Sequence, residues 1–391
     1  MKKRHLHSVS GYLCIMVMLV VVLVLSACAQ PAPAPAPAPA TAPAPKPAPA
    51  PAPAPAPGPA PAPTSTPAPA VTKPIELRFA YHAPPLGPIA KKAHEVYAKE
   101  IEKATGGKVK VTIYPGETLT LGKDTYEAVK SGITDIGWAF VGLFPGRFPI
   151  LEVNFLPSLT QSHTGQSATR ILWETFNKYP QMQAEFADVK VLAFNAQDPA
   201  FIATSKKPVR TLEDLKGLKL RITGSYTTDY MKRLGAVPLS LSPADIYDSM
   251  QKGVIDGYAM NWEGTMGRRL YEQAKFITVS NWYTGAFFTI MNLSKWKSLP
   301  PDIQKAIESV SGLEAGTQVA KAMDDEEAPC RAELKKRGAE IIELSDADKA
   351  KWQEAAKPVW DKWAADAKAK GAPADEILKE ILSLAEKYRI K

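Results

Sequence analysis

Past residue 70 the chain alternates between two kinds of pattern. From Ile75 to Ala80 apolar and polar positions take turns (Ile-Glu-Leu-Arg-Phe-Ala), as in a half-buried strand, and Val109 to Tyr114 does the same. Between them, Ile89 to Lys103 has helical spacing and is closed by Gly106-Gly107. A helix from about Lys123 to Lys130, stopped near Gly132, leads into a third strand at Ile133 to Phe140. Strands linked through helices by short connections predict parallel crossovers and a sheet covered on both faces.

A second series begins at Val189 to Phe194. Thr211 followed by Asp214 matches a capping box, with Gly217 as its stop, and Leu218 to Ile222 reads as a strand. A helix over Ser225 to Leu234 and a strand over Val237 to Leu241 come next. Ser242-Pro243-Ala244-Asp245 then opens a helix to Gln251, with Ser at the cap and Pro at the first position. Val254 to Met260 is strand-like, Pro301 to Gly338 reads as one long helix kinked at Pro329, and Asp346 to Lys391 is helical with a break at Gly371 to Pro373. Two such series predict an α/β, two-lobed fold whose hinge cleft holds the ligand at the strands' carboxyl ends.

The N-terminus is of another kind. Lys2, Lys3 and Arg4 precede an apolar run from Leu13 to Leu25, which suits an export signal over 1–27 better than a spanning helix. Leu25-Ser26-Ala27-Cys28 resembles a bacterial lipobox, which implies acylation of Cys28. A plain signal peptide and an uncleaved membrane anchor are the alternatives. Residues 29–70 are nearly all Pro and Ala, so neither helix nor sheet propagates through them. At about 3.1 Å per residue they form an extended tether of roughly 130 Å.

Charge and cysteines narrow the class. The net charge is +8, of which Lys2, Lys3, Arg4 and Lys46 carry four, leaving +4 beyond residue 70 with the signs mixed. That is a solvated surface and no nucleic-acid patch. Cys330 is the one thiol beyond the first 28 residues, so no disulfide framework exists. His82, His94 and His163 are scattered, and the chain has no nucleophile elbow, C-x-x-C, dinucleotide fingerprint or P-loop. His94-Glu95 begins like a zinc-protease motif but has Ala98 where the second His belongs. No cofactor, metal or enzymatic activity is expected.

The segment from Lys207 to Tyr258 resembles TRAP-transporter solute-binding proteins of the DctP type. It contains Asp214-Leu215-Lys216-Gly217-x-Lys219-x-Arg221, then Leu234-Gly235-Ala236-x-Pro238, then Tyr247-x-x-x-Gln251-x-Gly253-x-x-Asp256-Gly257. Thr105 to Lys108 and Leu299-Pro300 extend the likeness over about 75–345. The resemblance implies two lobes, a long helix crossing both, and an ion-driven importer with one small and one large membrane subunit. It also implies that Arg221 grips a ligand carboxylate, for which a guanidinium offers a matching planar fork. Some members carry a second Arg about twenty residues earlier, where this chain has Phe201. That departure implies an apolar wall and a ligand with one anionic group. Trp262, Trp282, Phe287, Trp138, Phe140 and His82 are the other expected cleft residues, with His82 and Asn261 as hydrogen-bonding groups. The bland alternative for each ring is lobe packing.

The expected product is a lipid-anchored extracytoplasmic receptor for a hydrophobic or aromatic monocarboxylate. Expected boundaries are 71–198 with 286–326 for lobe I and 199–285 with 327–391 for lobe II. A binding protein of an ATP-driven importer or a sensor system is the alternative.

Overall fold

The structure, a computed structural model, describes residues 73–160 and 164–389. The signal run, Cys28, the Pro/Ala stretch and His163 lie outside these residues. Strands β1 (Ile75–Tyr81), β2 (Val109–Tyr114), β3 (Ile136–Phe140) and β4 (Val189–Ala196) join β10 (Ala286–Asn292) in one sheet, ordered β2-β1-β3-β10-β4. Strands β5 (Phe201–Thr204), β6 (Lys219–Arg221), β7 (Val237–Leu239), β8 (Gly257–Met260), β9 (Phe276–Val279) and β11 (Glu340–Glu343) form the other, ordered β11-β9-β5-β8-β6-β7.

In the first sheet β1 runs parallel to β2 and β3, through the crossover helices Glu95–Ala104 and Thr125–Ser131. The central strands β3 and β10 are buried at every position, which is why their sequences are mostly apolar and lack the in–out alternation of a half-exposed strand. Strand β10 is antiparallel to both neighbours because the chain re-enters this sheet from the other one.

Two backbone segments make that passage, residues 197–200 leaving β4 and residues 280–285 leading into β10. They hydrogen-bond to each other, with Gln197 N donating to Gly285 O (2.9 Å) and Ala200 N to Tyr283 O (2.8 Å). The connection between lobes is thus a short two-stranded ribbon. A third passage runs from the helix Leu313–Asp324, packed on β4, to the helix Glu327–Lys336, packed on Trp262–Gly267.

The expected single helix over Pro301–Gly338 is three helices: Pro301–Ser309, Leu313–Asp324 and Glu327–Lys336. The first break falls at Gly312, whose φ of +75° leaves the helical region. Pro329 causes no kink, because it is the third residue of its helix, where its missing N–H has no partner to lose. The long helix linking the lobes lies further on, at Asp346–Ala369, with Pro358 inside it. Near its start the Trp352 carbonyl accepts from Tyr230 Oη (2.8 Å), beside the second sheet. Farther along, Trp360 and Trp363 donate from Nε1 to the carbonyls of Pro157 and Pro149 in the first lobe (2.8 and 2.9 Å). The segment 327–391 is therefore shared: β11 extends the second sheet, whereas Ala374–Lys387 packs against Gly165–Lys178 beside the first.

Candidate functional site

The carboxyl ends of strands from both sheets meet at one cavity of about 460 Å³ of atom-free space, including its mouth. His82 follows β1, Phe140 ends β3 and Gln197 follows β4, all from the first sheet. Arg221 ends β6 and Asn261 follows β8, from the second. Tyr283 enters from the ribbon between them.

One wall is a stack of rings. Trp138 lies parallel to His82 (4.7 Å, 15°) and to Phe287 (4.7 Å, 9°), these two rings are themselves parallel at 6.3 Å, and Phe140 leans on Phe287 at 4.9 Å. Trp138 is held by donation from Nε1 to Asn195 Oδ1 (2.9 Å). His94 packs behind it, ring to ring at 4.8 Å, buried and pushed down to about 3 by desolvation. The residue that begins like a protease motif is a neutral packing group.

Arg221 faces this wall. Its side chain is 2% exposed, and Nε donates to the carbonyl of Leu241 (3.2 Å), which fixes the plane of the guanidinium. Nη2 has no hydrogen-bond partner, and no carboxylate of the described residues forms an ion pair with Arg221. Burial pulls its pKa down to about 10, with a small further push from the charge of Arg268, so it stays a cation at neutral pH. A buried cation with no ion-pair partner among the described residues, held by one carbonyl, has the chemistry to accept an anion on its free edge.

Six of the expected residues line the cavity: His82, Trp138, Phe140, Arg221, Asn261 and Phe287. Three do not. Phe201 and Trp262 pack on each other at 4.3 Å within the second lobe's core, with the Arg331 guanidinium over the Trp262 ring at 4.4 Å. The alternation along β5 sends Phe201 to that core while Ile202 joins the other one. Trp282 is buried between Tyr230 (5.7 Å) and Tyr283 (4.5 Å). Asn261 is at the cavity, but both ends of its amide are engaged: Nδ2 donates to Asp198 Oδ1 (2.8 Å), and Oδ1 accepts from Gly264 N (3.2 Å). It caps a helix and ties the ribbon to it.

A second cation, absent from the sequence-based expectation, also lines the cavity. Arg268 lies just beyond the helix Trp262–Gly267, partly exposed, with Nη2 reaching toward the His82 carbonyl at 3.4 Å. The apolar wall inferred from Phe201 therefore does not stand in for a second arginine; one enters from a different element. Glu263 accompanies it, 2% exposed, its carboxyl pushed up to about 7 by burial against the pull of Arg268. The one sequence signal for either is their position beyond the end of a strand.

A cavity closed between two sheets, with a fixed guanidinium opposite stacked rings, defines a two-lobed ligand receptor. Residues 79–366 match the family described as bacterial extracellular solute-binding protein, family 7 (DctP), and the chain belongs to that family. It is 27% identical over 298 residues to the C4-dicarboxylate-binding periplasmic protein DctP of Rhodobacter capsulatus, covering 75% of this chain and 88% of that one. Among solved structures, a TRAP solute-binding protein from Rhodoferax ferrireducens with copurified benzoate superposes with a TM-score of 0.76 at 28% identity, covering 80% of this chain and 98% of that one. A marine-metagenome TRAP solute-binding protein, specific for aromatic acid ligands and bound to metahydroxyphenylacetate, gives 0.76 at 27% identity, covering 81% and 100%.

The ribbon carries a titratable group that tests this electrostatic picture. Asp198 is 4% exposed, and burial pushes its pKa up to about 8 despite the hydrogen bond from Asn261. The folded form thus keeps a proton, up to about pH 8, that the unfolded chain releases near pH 4. Stability from this group is complete below the lower value and is lost as pH rises through the higher one. The melting temperature should fall progressively between about pH 5 and pH 8, and less steeply in Asp198→Asn. Parallel curves for the two proteins would rule out this assignment.

Proposed function

We propose that this protein is the extracytoplasmic receptor of a TRAP-type secondary importer. It captures an aromatic or otherwise hydrophobic monocarboxylate through Arg221 and passes it to one small and one large membrane subunit, in ion-driven uptake. The observation that carries the reading is the buried guanidinium of Arg221, which forms no ion pair with an acid among the described residues. A ligand carboxylate meeting the free edge of the fork supplies that charge in a desolvated setting, where a charge-assisted hydrogen bond is strong. The Trp138 and Phe287 rings offer the flat apolar surface that a ring-bearing acid covers. Two similar proteins hold benzoate and metahydroxyphenylacetate, which are acids of this shape.

Arg221→Ala distinguishes this role from a structural one. Removing a lone buried cation relieves a desolvation cost, so the ligand-free variant should melt no lower than the parent. Its affinity for benzoate should fall about 100-fold or more, matching the roughly 3–5 kcal/mol lost when a buried charge pair is broken. Calorimetric titration and a melting curve on the same sample read both. Unchanged affinity, or a large drop in ligand-free stability, would assign Arg221 to the scaffold.

The same reading makes Cys28 the lipid-bearing residue and 29–70 the tether from the membrane. In cells, Cys28→Ala should move the protein from the membrane fraction to the soluble one. Retention on membranes would point to the apolar run itself as the anchor.

A further inference from the structure

Four buried polar atoms on cavity residues have no hydrogen-bond partner among the described residues: Arg221 Nη2, Gln197 Nε2, His82 Nδ1 and Glu263 Oε1. A carboxylate carries only acceptors, so it answers the donors Arg221 and Gln197. It does nothing for Glu263, and an anion placed beside an ionised carboxylate would be repelled.

Glu263 is not oriented by an ion pair in the described residues, although Arg268 lies near enough to act on it through space. Its carboxyl is packed against glycines. A Cβ on Gly267 would come within 3.1 Å of Oε1, and one on Gly87 within 3.8 Å. Gly87 and Gly267, from different lobes, thus leave room beside this oxygen; both line the neighbouring groove at Pro84–Pro88, so the Glu263 carboxyl lies between that groove and the cavity it also lines. The formal balance of Arg221, Arg268 and Glu263 is one net positive charge, which matches a monoanion. A second carboxylate would oppose Glu263, and a ligand ammonium would oppose both guanidinium groups. A neutral group that both donates and accepts fits either protonation state of the carboxyl.

We propose that Glu263 is a specificity-determining residue that hydrogen-bonds a hydroxyl on the ligand, so that the preferred ligand is a hydroxylated aromatic monocarboxylate with its acid group on Arg221. This rests on the carboxylate-receptor reading above and narrows it.

The test titrates the full-length protein with benzoate, with 2-, 3- and 4-hydroxybenzoate, and with the methoxy and amino analogues of the best isomer. At least one hydroxybenzoate should bind about tenfold tighter than benzoate, and its methyl ether should lose that advantage. In Glu263→Leu the affinity ratio of that hydroxybenzoate to benzoate should fall to about one, a readout that loose packing alone would not move selectively. The methyl ether comparison keeps the test decisive if the variant does not fold. Equal binding of benzoate and every hydroxybenzoate overturns the proposal while leaving the carboxylate reading intact. So does a preference that survives in Glu263→Leu, or tighter binding of the amino analogue. A protein that takes none of these acids overturns the carboxylate reading and this one together.

Discussion

The cavity between the two sheets is organised around a guanidinium that is buried with no ion-pair partner among the described residues. Arg221 ends a short strand inside the second sheet, its Nε is fixed by Leu241, and its remaining edge points into a cavity shared with the other sheet. A lone cation in such a place costs free energy in the ligand-free protein, and the surrounding packing has to tolerate that cost. What tolerates it is the mass of buried rings on the opposing strands, where β3 and β10 are covered at every position. The rigid wall and the constrained cation together hold the site in shape before a ligand arrives.

The connection between lobes is built into the same place. Residues 197–200 and 280–285 pair as a two-stranded ribbon, and this ribbon delivers Gln197 and Tyr283 to the cavity. Asp198, in its middle, binds the amide of Asn261, which in turn caps the helix carrying Glu263. A change in the angle between lobes therefore moves cavity groups directly, without intermediate elements. Such a ribbon is the kind of short segment that absorbs hinge motion in two-lobed receptors.

Much of this was legible in the sequence, for identifiable reasons. The alternation in β1 and β2, the Thr211–Asp214 capping box and the Ser242-Pro243 helix start are local signals, and each is present in the fold. Arg221 was legible because it ends a strand within a motif block. Strand β5, at four residues, carried no periodicity strong enough to read. The side on which Phe201 falls depends on which face of β5 meets the helix Trp262–Gly267, a tertiary fact. Arg268 and Glu263 escaped notice because nothing local separates a cavity arginine from a surface one. The false long helix had a similar origin: helical composition runs from Pro301 to Gly338, and one glycine in the left-handed region is enough to end it. Pro329 misled in the opposite sense, since a proline in a first turn breaks nothing.

The most direct test is a crystal structure of the protein grown with benzoate. The carboxylate should lie within about 3 Å of the Arg221 Nη atoms, with the ring against Trp138 and Phe287. A guanidinium turned away from the ligand, or paired with a carboxylate of its own chain, would contradict the account at its base.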